Sequence, residues 1–213
     1  MLVIFDLDGT LLDTIDDLAA AANHALLACG FPARSVEECR QFVGNGVTKL
    51  LERALPDGRK TSENLAAMHE AFFNYYDAHL TDKTRPYPGI PELLTNLQAR
   101  GVKLAVASNK YQRATEQLMK CFFPQISFVA VLGQRENIPV KPHPQIVQDI
   151  LTAAHETPTN TLYVGDSDVD MQTAQNAGVK ACGVTWGFRS REVLAAYKPF
   201  ALIDHPQDLA NFF

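Results

Sequence analysis

The sequence predicts an α/β protein, a doubly wound parallel sheet that carries a small helical insert. Three observations predict it. Short continuous apolar runs alternate with helical patterns along most of the chain. One long stretch, from about Thr14 to about Arg85, has helical spacing and no convincing strand. Polar residues able to do chemistry fall just after the apolar runs, where open sheets of this class bind ligands.

Leu2–Phe5 is a continuous apolar run, the pattern of a parallel strand buried on both faces. The stretch that follows is rich in Ala, Leu, Glu and Gln, with Leu18, Ala21, Ala22, Ala25 and Leu26 at helical spacing. Its exit, Arg85-Pro86-Tyr87-Pro88-Gly89, reads as a hinge. The expected division is therefore a core domain of residues 1–13 and 86–213, and a helical domain of residues 14–85. Beyond the hinge, Pro91–Arg100 is an expected helix with Pro at its first turn and Gly101 just past its end. Val102–Ala107, Phe128–Leu132, Thr161–Val164 and Val179–Val184 are expected strands. The intervening helices are expected at Arg113–Cys121, Pro144–Ala154 and Val169–Ala177, the last closed by Gly178. Such alternation implies right-handed crossovers and a Rossmann-like sheet.

Composition bounds the function. The 213 residues are 46% hydrophobic and 20% charged, which suits a globular chain with a substantial core. A net charge of −5 argues against nucleic acid or a membrane surface as partner. A phosphorylated substrate stays open, because one metal ion or lysine can reverse the sign of a pocket. Cys29, Cys39, Cys121 and Cys182 form no CxxC pair and are expected as reduced, buried thiols. The opening MLVIFDLDG has no basic leader, and no stretch approaches the roughly 20 apolar residues of a membrane span. The expected location is cytoplasmic.

Four segments carry the chemistry: Asp6-Leu7-Asp8-Gly9-Thr10, Ser108-Asn109, Lys141-Pro142-His143-Pro144 and Gly165-Asp166-Ser167-Asp168-Val169-Asp170. Asp6 ends a strand, and its carboxylate can attack phosphorus. Asp8, two residues on, can protonate a departing alkoxide and later activate water. Gly9 permits a tight turn. Asp166 and Asp170 add two carboxylates, and so much negative charge around a phosphate dianion calls for a cation. An all-oxygen donor set with phosphate suggests Mg2+. Lys141 supplies a further positive charge, and Ser108 with the Asn109 amide can hydrogen-bond phosphoryl oxygens. The plainer readings make Asp6 a turn residue, Ser108 a helix cap and Lys141 a solvated lysine. Asp168 reads as a surface or capping residue. A calcium loop beginning at Asp6 would need a Gly at its sixth position and a Glu at its twelfth, and this sequence has neither.

These four segments, in this order, resemble the four motifs of the haloacid-dehalogenase superfamily, over nearly the whole chain. The insert falls where that family places a helical cap. The resemblance implies phosphoryl transfer through an aspartyl phosphate on Asp6. It implies Mg2+ held by Asp6, the Asp8 backbone carbonyl and Asp166, with Asp170 behind them and Thr10 near the substrate. Dehalogenases proper lack the second aspartate, so the pair Asp6 and Asp8 favours phosphate esters.

Phe42-Val43-Gly44-Asn45-Gly46-Val47, followed by Lys49, resembles the cap segment of a subgroup that hydrolyses phosphoglycolate; Tyr87-Pro88-Gly89 and Trp186-Gly187-Phe188 also fit it. On this reading Gly44 and Gly46 let a loop approach the substrate, and Lys49 meets a substrate carboxylate. The plainer reading makes the glycines a helix linker and Lys49 a solvated residue. The expected partner is a small phosphorylated metabolite, with phosphoglycolate first. Pyrophosphate, nucleotides and sugar phosphates follow, as does a β-phosphoglucomutase-like mutase. A Schiff-base lysine at Lys49 would instead point to phosphonate cleavage. A phospho-accepting signalling module would be about half this length and have no insert.

Overall fold

The computed structural model describes residues 1–213. The chain opens with β1 (Leu2–Phe5), every residue of it buried, and the two-residue β2 (Leu12–Asp13). Four helices follow: α1 (Ile15–Ala28), α2 (Val36–Phe42), α3 (Val47–Ala54) and α4 (Ser62–Tyr76). The chain then passes through the two-residue β3 (Arg85–Pro86). From there helix and strand alternate: α5 (Ile90–Ala99), β4 (Lys103–Tyr111), α6 (Gln112–Phe122), β5 (Phe128–Gln134), α7 (Gln145–Ala154), β6 (Thr161–Gly165), α8 (Asp168–Ala177), β7 (Lys180–Val184), α9 (Arg191–Ala195) and β8 (Ala201–Ile203). The chain divides into two units, Met1–Asp13 with Pro86–Phe213, and Thr14–Arg85.

The first unit is built on a six-stranded parallel sheet in the order β5-β4-β1-β6-β7-β8. The direction of strand addition reverses at β1. Right-handed crossovers therefore put α5 and α6 on one face and α7, α8 and α9 on the other. The second face is seen directly: Ile146, Val147 and Ile150 of α7, Met171 and Ala174 of α8, and Leu194 of α9 cluster on Leu2, Ile4, Ala105 and Tyr163. Because side chains alternate along a strand, Val3 and Phe5 point the other way. β1 is thus apolar on both sides, and its only polar continuation is at its carboxyl end.

Two features of this unit differ from expectation. β4 runs on to Tyr111 through a register shift against β5, so Ser108 and Asn109 lie inside a strand instead of after one. The last strand, β8, is three residues long and too short for a periodicity to show.

The second unit is four helices and their connections, and only its last residue lies in a strand. Leu18, Ala22, Ala25 and Leu26 bury one stripe of α1, which packs on α4 through Met68, Phe72 and Tyr76. Ser35 and Glu38 form a capping box that starts α2. Asp17 is buried in α1 and accepts from the Lys83 amide at 3.0 Å, the Thr84 amide at 2.8 Å and the Thr84 hydroxyl at 2.8 Å.

The cysteines divide. Cys39 and Cys182 are buried, and burial pushes their thiols up to about 11 and about 12. Cys29 is half-buried, and Cys121 is exposed on α6, contrary to the expectation that all four are buried. No helix is long and apolar enough to cross a membrane.

Candidate active site

A strand order that reverses at β1 leaves a crevice beyond its carboxyl end, the general ligand position in open α/β sheets. Asp6 stands there as the first residue past β1, and its amide donates to Val164 O of β6 at 2.9 Å. The next residues turn sharply, with the amides of Leu11 and Leu12 both donating to Leu7 O at 3.0 Å. Gly9 takes φ of +89°, a conformation that L side chains rarely adopt.

Lys141 reaches this point from the loop before α7. Its Nζ lies 2.8 Å from Asp6 Oδ1 and 2.8 Å from Asp170 Oδ1. It also donates to Ala107 O at 2.9 Å and lies 3.1 Å from the Tyr163 hydroxyl. The side chain is 2% exposed, so every donor is spent inside the protein. Its backbone is clamped by the Asn109 side chain, which accepts from the Lys141 amide at 2.9 Å and donates to the Lys141 carbonyl at 3.1 Å.

Asp170 is divided between two tasks. Oδ1 receives Lys141, while Oδ2 receives the Ser167 hydroxyl at 2.5 Å and the Ser167 amide at 3.1 Å. The second set is the capping box that starts α8. Asp166 is the first residue past β6. Its Oδ1 accepts the Thr10 hydroxyl at 3.1 Å and its Oδ2 the Phe188 amide at 2.7 Å. Thr10, expected at the substrate, is fully buried and spends its hydroxyl on Asp166. Ser108 is buried and accepts from the Lys110 amide at 3.1 Å. Asp168, expected as a surface or capping residue, lies 3.6 Å from Arg189 Nε.

Asp8 has a partner that sequence reasoning missed. Lys110 Nζ lies 3.0 Å from Asp8 Oδ1, and the lysine side chain is only 2% exposed. The available signal was a lysine directly after Ser108-Asn109 at a buried strand end, where it needs a carboxylate.

The electrostatics follow from counting charges. Asp6, Asp166 and Asp170 offer carboxylate oxygens within 4.8 Å of one another, all on buried residues. One ammonium, Lys141, lies between two of them. Two negative charges remain in excess. Burial, and then the charge of Asp170, hold the Asp6 carboxyl well above its usual range against the pull of Lys141. Burial and Asp170 likewise raise Asp166 to about 7, although the Phe188 and Thr10 hydrogen bonds oppose this. Burial works against the charged form of Lys141, but Asp170 and Asp6 outweigh it and keep the ammonium well protonated. An all-oxygen donor set with surplus negative charge fits a hard divalent cation such as Mg2+.

Gly44, Gly46 and Lys49 belong to the second unit. Gly44 and Gly46 have φ of +127° and +83°, so this loop requires glycine at both positions, and Gly46 leads directly into α3. Lys49 is exposed and pairs with Glu52 at 2.6 Å within α3.

Fold and site together define a parallel-sheet enzyme whose centre is an acidic cluster at the end of the central strand. Residues 3–184 match the family model described as haloacid dehalogenase-like hydrolase, and the chain belongs to that family. It is 36% identical over 206 residues to a phosphoglycolate phosphatase of Pseudomonas putida, covering 95% of this chain and 76% of that protein. A phosphoglycolate phosphatase of Mesorhizobium japonicum is 33% identical over 208 residues, covering 96% and 90%. A crystal structure of a predicted phosphoglycolate phosphatase from Haemophilus somnus superposes with a TM-score of 0.92 at 31% identity, covering 99% and 96%.

Proposed function

We propose that this chain is a Mg2+-dependent phosphomonoesterase that acts through an aspartyl phosphate on Asp6, with 2-phosphoglycolate as its substrate. The observation that carries the mechanism is the buried contact of Lys141 with Asp6 inside a three-carboxylate cluster. The names of the curated relatives carry the substrate.

In the first step an Asp6 oxygen attacks phosphorus, and a P–O bond to Asp6 forms as the bond to the substrate oxygen breaks. Asp8 gives its proton to that departing oxygen. In the second step Asp8 takes a proton from water, whose oxygen attacks phosphorus. The bond to Asp6 breaks, releasing phosphate and the free carboxylate. Lys141 balances charge at Asp6, and Asp170 and Asn109 hold Lys141 in place. Ser108 and the Asn109 amide serve the phosphoryl oxygens. Mg2+ would be held by Asp6, the Asp8 carbonyl and Asp166, with Asp170 behind them, and it supplies neutralising charge for the phosphoryl group.

The 14–85 unit is the substrate-selecting cap on this reading, and the other unit is catalytic. Gly44 and Gly46 give its loop backbone freedom near the substrate, and Lys49 exchanges Glu52 for the substrate carboxylate. The ligand is a small phosphorylated metabolite of the cytoplasm, with no role for nucleic acid.

The test is phosphate release from 2-phosphoglycolate beside pyrophosphate, nucleotides and sugar phosphates, with Mg2+ or EDTA. Turnover that needs Mg2+, prefers phosphoglycolate and vanishes in Asp6→Asn is the expected result. Preference for another panel member overturns the substrate alone. Full activity in Asp6→Asn overturns the mechanism.

A further inference from the structure

The loop after β7, Trp186-Gly187-Phe188, has no task in the reaction as written, yet it is built closely around Asp166. The Phe188 amide donates to Asp166 Oδ2 at 2.7 Å. A Cβ placed on Gly187 would lie 2.2 Å from Asp166 Cβ, 2.4 Å from Asp166 Oδ2 and 2.4 Å from Gly9 O. Gly187 has no left-handed backbone, so glycine is required there for space alone. A Cβ on Gly9 would likewise lie 2.3 Å from Asp166 Oδ2. The carboxylate therefore packs closely against two side-chain-free residues, with one protein donor on each oxygen. A carboxylate offers about four acceptor directions, so about two remain open. Finally, Trp186 Nε1 donates to Thr10 O at 3.0 Å. That bond ties the loop to the residue whose hydroxyl holds the other oxygen of Asp166.

We propose that Trp186-Gly187-Phe188 is the positioning element for the divalent cation. Gly187 and the Phe188 amide set the Asp166 carboxylate, and the Trp186 indole latches the loop to the turn at Asp6–Thr10. The proposal rests on the reading of Asp166 as a cation ligand. Residues that orient a metal ligand typically contribute about 10–100-fold to metal affinity.

The experiment is a calorimetric Mg2+ titration of the whole protein, comparing wild type, Gly187→Ala, Trp186→Phe and, as control, Asp166→Asn. Trp186→Phe keeps an aromatic ring and removes the N–H that forms the latch. Both loop variants are expected to bind Mg2+ about 10–100-fold more weakly. Trp186→Phe should melt in EDTA within about 3 °C of wild type. Its turnover should return when Mg2+ is raised to saturation. A loop needed only for packing would lower the EDTA melting temperature and leave Mg2+ affinity alone. If folded variants bind Mg2+ as wild type does, the proposal is overturned while the cation reading stands. If wild type binds no Mg2+, the cation reading falls and takes the proposal with it. If Gly187→Ala does not fold, Trp186→Phe decides.

Discussion

Asn109→Ala isolates the clamp on Lys141. The substitution removes an acceptor at 2.9 Å and a donor at 3.1 Å, both directed at the Lys141 backbone in a buried setting. Each buried main-chain group left without a partner costs about 1–3 kcal/mol, so the two together cost about 2–6 kcal/mol. Water entering the space brings the value towards the low end. For a chain of this length about 3 kcal/mol lowers the melting temperature by roughly 6–12 °C. Function should suffer separately, because Lys141 Nζ must stay within 2.8 Å of both Asp6 and Asp170. A displacement of about 1 Å at such a group can cost about 100-fold in rate. The assays are melting followed by circular dichroism in EDTA, and kcat at saturating Mg2+ and substrate. A variant that melts within about 1 °C of wild type and keeps its kcat would refute the clamp.

Two further outcomes follow from the same geometry. Asp166 sits at about 7 in the folded protein against an ordinary 3.8, so the folded state holds its proton more tightly than the unfolded state. The contribution of Asp166 to metal-free stability should therefore fall by up to about 4 kcal/mol as pH rises from about 4 through about 7, in addition to the fall that the raised Asp6 carboxyl brings. Urea unfolding in EDTA at pH 5 and pH 8 reads this directly; the fall should shrink in Asp166→Asn, and an equal fall in that variant would contradict it. In the inserted unit, Asp17→Ala strips the Lys83 amide, the Thr84 amide and the Thr84 hydroxyl of one shared acceptor. Hydrogen bonds to charged groups contribute about 1.5–3 kcal/mol each, so urea unfolding should show a loss of at least about 3 kcal/mol, and a loss below about 1 would count against the contact.

The sheet was legible because its central strands are buried on both faces. Leu2–Phe5 and Thr161–Val164 are apolar at every position or nearly so, which no surface element would be. The helices declared themselves through end signals, such as Gly178 after α8. β8 was not legible, since Ala201–Ile203 is held by its pairing with β7 and not by a local pattern. At the site, residue types at strand ends pointed to Asp6, Asp166 and Lys141. What those residues do for one another was hidden wherever the partner is remote in sequence. Thr10 finds Asp166 across 156 positions, and Asn109 finds Lys141 across 32. Such pairs exist only after the sheet has ordered its strands. Lys110 was hidden by a different cause, because a single lysine gives no sign of being buried until its carboxylate is located.

Each unit fastens its own pair of severed ends. In the sheet-bearing unit the Tyr87 amide donates to Leu11 O at 3.2 Å, bringing the outgoing and returning chain within one hydrogen bond. In the helical unit Asp17, near its beginning, holds Lys83 and Thr84, near its end. Neither closure borrows a residue from the other unit. The 72-residue segment Thr14–Arg85 thus has the construction of a cassette. A gene could lengthen it, trim it or trade it for another by cutting at two neighbouring points, leaving every strand of the sheet where it stands.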